Sequence, residues 1–200
     1  MTQAIIICCN KQDEVLLPAL IPNIKSVYPL ASIFVAPCSK NPPETNLPLT
    51  NQLRWDTPYI SHDILRAMYE TNADVVAKID VDTWHVKPYL FKEGWKITGI
   101  QWAQNPHNLL GIGYSATREA IITMMSAEPC AMCNRTKEDQ VFTWMARKHM
   151  PNDIYMYPVG TARKASTYNN QEDACVIHLG CDPDPESRLE YQDMFSANSF

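Results

Sequence analysis

The sequence predicts a single α/β domain, a layered sandwich around a mostly parallel sheet. Strand-like and helix-like segments alternate along the chain. One buried run, Ala73-Asp74-Val75-Val76-Ala77-Lys78-Ile79-Asp80-Val81-Asp82-Thr83, reads as a central strand ending in two acids. The chain has 200 residues, 46% hydrophobic and 20% charged, enough for one sizeable core.

The elements follow in order. Ala4–Cys9 is a β-branched first strand, and Asn10-Lys11-Gln12-Asp13 is a polar turn. A helix is expected from about Glu14 to Val27, short or broken because Pro18 and Pro22 interrupt its hydrogen bonds. Ala31–Ala36 is a second strand. Pro37 to Pro58 is an irregular, proline-rich connection, of a length that usually serves a site. Tyr59–Glu70 is a helix with Ile60, Ile64, Leu65 and Met68 on one face. The acidic strand follows.

Lys87–Lys92 is read as a short helical turn and Trp95–Trp102 as a strand. Leu109–Tyr114 is a short apolar segment holding Gly111 and Gly113. Ser115 is read as the N-cap of a helix carrying Ala116, Ala120, Ile121, Met124 and Met125. Thr136 is read as capping a helix over Lys137–Met150, which Pro151 stops. Ile154–Val159 is a strand, Gly160–Asp173 a polar loop, Ala174–His178 a last strand and Ser187–Ala197 a terminal helix.

The net charge of −5 argues against bulk electrostatic binding to nucleic acid or anionic membrane. No segment reaches membrane-spanning length and no signal-peptide pattern opens the chain, so a soluble, cytoplasmic protein is expected. The seven cysteines follow no scaffold pattern, which favours reduced thiols. Cys130 and Cys133 have half a zinc-site spacing, and free thiols are the simpler reading.

In open α/β sheets ligands sit off the carboxyl ends of the strands. On an extended strand Asp80 and Asp82 point the same way, and two hard oxygen donors suit Mn²⁺ or Mg²⁺ carrying phosphates. Alone, the motif is more often a solvated strand end. A second Asp-x-Asp, Asp182-Pro183-Asp184, lies in a proline-broken loop, so context decides between the readings. His62 and Arg66 lie one turn apart on the helix leading into the strand, where a guanidinium would suit a diphosphate. Asp139 follows Thr136 with capping-box-like spacing, and acids also favour a helix N-terminus, so a structural role stands beside a catalytic one. His178, after an apolar strand, reads as a core histidine or a ligand.

Four features stand in a telling order: Asp80-Val81-Asp82, then Gly111-Ile112-Gly113-Tyr114-Ser115, then Glu138-Asp139, then His178. This order resembles that of the GT-A (Rossmann-like) fold glycosyltransferases, over about residues 4 to 180. The resemblance implies a nucleotide sugar donor, a UDP-sugar first, with Mn²⁺ or Mg²⁺ on its diphosphate. It makes Asp80, Asp82 and His178 the metal-site residues, with Asp80 on the ribose or the metal's waters. Asn10, Lys11, Arg66, Asp80, Arg163 and Lys164 are the expected donor-binding residues, the last pair on a loop that would close as a lid. Glu138 and Asp139 are the expected catalytic acids, Asp139 acting as base in an inverting transfer to a hydroxyl. The expected acceptor is a glycan, with a lipid-linked sugar, a protein side chain or a modified nucleic-acid base as further options. A non-catalytic nucleotide-sugar-binding module and, further off, a haloacid dehalogenase-type phosphatase are the alternatives.

Overall fold

The computed structural model describes residues 1–54, 59–103, 105–126, 138–167, 174–179 and 185–197. The Cys130–Cys133 pair, the Thr136 cap and the second Asp-x-Asp, Asp182-Pro183-Asp184, lie outside the described residues.

The main sheet holds six strands. β1 (Gln3–Cys9) lies between β2 (Ala31–Pro37) and β3 (Val75–Asp80), parallel to both. β6 (Asn105–Thr117) runs antiparallel between β3 and β5 (Ile97–Trp102), and β7 (Ile154–Tyr157) pairs in parallel with β5. The spatial order is β2-β1-β3-β6-β5-β7. The sheet is therefore mostly parallel, as expected, with β6 alone reversed.

Both sheet faces are covered, which explains the unbroken apolar runs of β1 and β3. Ala4, Ile6, Cys8 and Val76 face one core, closed by α2 (Ile60–Glu70), α3 (Arg118–Met125) and α4 (Glu138–His149). Ile5, Ile7, Cys9, Ala77 and Ile79 face the other, closed by α1 (Leu17–Val27) through Leu17, Leu20 and Ile24. A 3-10 turn over Gln12–Leu16 precedes α1. Pro18 then falls in the first helical turn, where its missing N–H costs little, so only Pro22 interrupts the helix.

Three expectations change. Ser115 does not cap a helix. It stays in β6 opposite Ala77, where β3 and β5 together hold this part of the strand, and Thr117 becomes the cap, accepting from Ala120 N at 3.3 Å. Pairing on both sides outweighs the local capping signal. Residues 87–92 form no helix. They run as irregular chain with Tyr89 and Leu90 buried, and Leu90 O accepts the Ser115 hydroxyl. Gly113 leaves the space: a Cβ there would collide with Tyr89 Oη. Finally, Gly160–Asp173 is no plain loop. A 3-10 turn, β8 (Ala162–Lys164) and a second 3-10 turn over Ala165–Thr167 occupy its described part.

β8 belongs to a second, three-stranded sheet, ordered β4-β9-β8, with β4 (Thr83–His85) antiparallel and β8 parallel to β9 (Val176–His178). α5 (Pro185–Ala197) covers it through Phe195, packed with Ile177 and Leu179. The irregular segment after β2 runs along that edge strand, with Val35 N bonded to Pro48 O and Thr50 N to Val35 O. Cys8, Cys9, Cys38 and Cys175 are free thiols. Among the described residues no helix is long and apolar enough to cross a membrane.

His85, in β4, is buried between Tyr28 and Tyr89, and burial pushes its pKa down to about 3. The folded protein keeps this imidazole neutral while the unfolded chain protonates it near pH 6.5. The stability is thus complete above that pH and is lost as pH falls toward 3, by up to about 1.4 kcal/mol per pH unit. Urea midpoints are expected to fall between about pH 7 and pH 4.5, and His85→Gln to flatten that slope. An unchanged slope in the variant would clear His85 of this role.

Candidate active site

β3 ends at Asp80, which pairs in register with Cys8 of β1 at the carboxyl end of both strands. The extended geometry expected through Asp82 stops there. Val81 and Asp82 form a turn, closed by the Thr83 hydroxyl donating to Asp80 O at 2.7 Å. The chain then enters β4. The reason is topological: this is where the backbone passes from the large sheet to the small one. Asp80, Val81 and Asp82 nevertheless line one cleft of about 340 Å³, together with Cys8, Asn10, Asp13 and Cys38. The larger groove, about 490 Å³, lies behind the small sheet. It is apolar, lined by Trp84, Ile177 and Phe195, and holds none of these acids.

The small sheet brings His178 to Asp82. Thr83 pairs with His178 across the strands, and Leu179 N donates to Asp82 O at 2.9 Å. His178 Nε2 therefore sits 3.2 Å from Asp82 Oδ2. Burial lowers the imidazole pKa, but the Asp82 carboxylate outweighs it and the net direction is upward.

At the first strand end, Asn10 Oδ1 accepts from Gln12 N and Asp13 N, and Asn10 Nδ2 donates to Asp13 Oδ2 at 2.6 Å. This Asx-type turn aims Asn10 and Asp13 at the cleft. Lys11 turns instead to Glu14 and Glu44, at 2.9 and 3.1 Å. Arg66 is 66% exposed and pairs with Glu70 at 3.1 Å on the surface of α2. Neither lines the cleft. Both ring nitrogens of His62, near the start of α2, are buried without a hydrogen-bond partner.

A buried lysine joins the acidic corner to α4. Lys78 is fully buried on β3, and its Nζ reaches Asp80 Oδ1 at 2.7 Å, Glu138 Oε1 at 2.7 Å and Gly111 O at 2.6 Å. Tyr114 Oη donates to the other Glu138 oxygen at 2.9 Å. Burial alone would lower the lysine pKa, but Asp80 and Glu138 together drive it well up, so it stays charged. Burial raises the carboxyl pKa values of Glu138 and Asp80, against the pull of Lys78.

Asp139, 7% exposed, opens α4 beside Glu138 and accepts from Gln140 N. It rests on the backbone of Gly111, where a Cβ would lie 3.4 Å from Asp139 Oδ2 and from Glu138 Oε1. That is ordinary van der Waals contact, so the acid pair packs directly on this strand. Arg163 and Lys164 lie on β8, in register with Ile177 and His178. They stand beside the corner, but on a paired strand rather than an open loop.

Lys78, Asp13 and Arg188 were missed as site residues. Lys78 left a signal: a lone cation in an apolar strand, two residues before Asp80 and so on its face. Arg188, whose Nη1 lies 2.9 Å from Asp13 Oδ1, left none.

Among the described residues, no three of His, Cys, Asp and Glu converge as a closed metal cage. Asp82 and His178 are the groups of the corner that could hold a divalent ion, Asp82 as a hard oxygen donor. The 3.2 Å between them is a hydrogen-bond distance, so an ion held by both would have to displace the proton they share.

No family model and no curated protein sequence matches the chain. Among solved structures, it superposes with a TM-score of 0.65 on a glycosyltransferase involved in the glycosylation of the major capsid of PBCV-1. The match covers 97% of this chain and 100% of that one, at 13% sequence identity. At that identity the likeness is one of architecture, and the α/β fold described above is shared along essentially the whole of both chains.

Proposed function

We propose that the chain is a GT-A-type glycosyltransferase that moves a sugar from a nucleoside diphosphate donor to a hydroxyl acceptor. The observation that carries the reading is the acidic corner. Asp80 and Asp82 leave the carboxyl end of a central parallel strand and line one cleft, with His178 fixed at 3.2 Å from Asp82. Asp82 and His178 would hold Mn²⁺ or Mg²⁺, with Asp80 on the ribose or the metal's waters. The bound cation supplies counter-charge to the departing diphosphate.

The remaining work falls to the protein. Asn10 lines the donor side of the cleft. Lys78 holds Asp80 and Glu138 in place from beneath the site. Both Glu138 oxygens are engaged, by Lys78 and Tyr114, which suits a positioning role. Asp139, the acid that the resemblance assigns as base, would take the acceptor proton, and transfer would then invert the anomeric centre. A UDP-sugar is the first donor to test. A glycan is the favoured acceptor, since the net charge of −5 disfavours nucleic acid. The fold likeness to an enzyme of capsid glycosylation supports this reading.

The burial of Asp139 and Glu138 favours one second reading, a nucleotide-sugar-binding module without turnover. A thermal-shift panel of nucleotide sugars with Mn²⁺, followed by product analysis on glycan acceptors, separates the two. A true donor at a hundred times its dissociation constant should add about 2.7 kcal/mol of stability and yield nucleoside diphosphate with the acceptor. Binding without release would select the module. No shift with any nucleotide sugar would sink both.

A further inference from the structure

α5 sends one side chain into the acidic corner. Arg188 Nη1 lies 2.9 Å from Asp13 Oδ1 and 3.9 Å from Asp82 Oδ2. The side chain is only 12% exposed, and its Nε is buried without a hydrogen-bond partner. The helix that presents it is anchored on both sides. Gln192 Nε2 donates to Leu16 O at 2.9 Å, and Phe195 packs with Ile177 and Leu179.

A cation needed only to balance Asp13 would be satisfied by the short pair. Two features ask for more. The contact with Asp82 is too long for a hydrogen bond, so it is purely electrostatic and readily given up. The buried Nε–H is a donor whose need the present arrangement leaves unmet. A guanidinium carries five N–H donors in a planar fork that matches phosphate oxygens. An anion carried on a cation at Asp82 would fall within reach of a group already 3.9 Å from that carboxylate.

We infer that Arg188 grips the phosphate anion of the donor, pivoting on Asp13 and exchanging Asp82 for a diphosphate oxygen. The inference rests on the nucleotide-donor reading above. In both states each carboxylate keeps a cation beside it, Asp13 through its short pair with Arg188. Without donor, Arg188 lies against Asp13 and, at longer range, Asp82. With donor, the divalent ion answers Asp82 and Arg188 answers the phosphate. No step of this exchange makes or breaks a covalent bond.

Calorimetric titration tests it, with UDP, GDP, ADP and CDP in MnCl₂, the four parent nucleosides, and MnCl₂ alone. The proteins are the wild type, Arg188→Gln and Arg188→Lys, each checked for fold by circular dichroism. The wild type should bind one diphosphate. Arg188→Gln should weaken that binding about tenfold or more, Arg188→Lys less so, with Mn²⁺ affinity weakened in neither. If the wild type binds no nucleoside diphosphate, the donor reading falls and takes this inference with it. If it binds and Arg188→Gln binds equally well, the donor reading stands and Arg188 has no grip on the anion. If Arg188→Gln weakens Mn²⁺ alone as much as the diphosphate, the residue acts through Asp82 and direct contact is overturned. Should Arg188→Gln fail to fold, Arg188→Lys decides, and wild-type diphosphate affinity in it refutes the fork.

Discussion

Asp82→Asn is expected to reduce sugar transfer by roughly 10³-fold or more, equivalent to about 4 kcal/mol of barrier. The amide keeps the shape of the carboxylate and loses its charge. The backbone pairing that sets the corner, Leu179 N to Asp82 O, is untouched, so the variant should fold. What goes is the anionic ligand, and with it the counter-charge to the departing diphosphate. Turnover measured against MnCl₂ concentration is the check. It should stay low at every concentration if Asp82 is a ligand. Wild-type turnover in the variant would remove Asp82 from the ligand set, and the metal-dependent proposal would have to be rebuilt on other residues.

Lys78→Met should be the most destabilising substitution at the site, by roughly 3–5 kcal/mol. The methionine fills much the same volume, so lost packing is not the cause. The cause is that Asp80 and Glu138 both lose the one ammonium that bridges them. Each already has its carboxyl pKa raised by burial, with Lys78 as the opposing influence. Without it, the folded state binds protons more readily than the unfolded chain. The variant's deficit should therefore shrink as pH falls through the raised carboxyl pKa values and grow as pH rises. Urea unfolding at several pH values measures this. Adding Glu138→Gln should recover part of the loss, because one stranded charge is removed. A deficit independent of pH, with no recovery in the double variant, would mean that the ion network contributes little to the fold.

Much of this architecture could be read in the residues. β1 and β3 announce themselves as apolar on both faces because helices cover both faces of the sheet. α2 is legible through Ile60, Ile64, Leu65 and Met68, all buried. Asp80 could be placed at a strand end because the apolar run stops there. The failures share a cause, namely that long-range contacts overrule local preference. Ser115 looks like a helix cap until strands on both sides claim its backbone. Asp82 looks extended until the small sheet, built from residues almost a hundred positions later, draws the chain into a turn. Arg66 and Lys11 are plausible phosphate ligands by composition, yet nearer acids on the surface hold them. Arg188 reaches the corner only because α5 folds back across the first helical turn, a pairing that no local pattern encodes.

The acidic corner is stitched from both halves of the chain. β1 and β3 supply its floor from the first eighty residues, whereas β9 and α5 supply His178 and Arg188 from the last thirty. The strands of the large sheet all precede β9 and α5 in the sequence, so that sheet can form before His178 and Arg188 arrive beside Asp82 and Asp13. Assembly of the corner thus waits on β9 and α5, which close it through contacts far apart in the sequence.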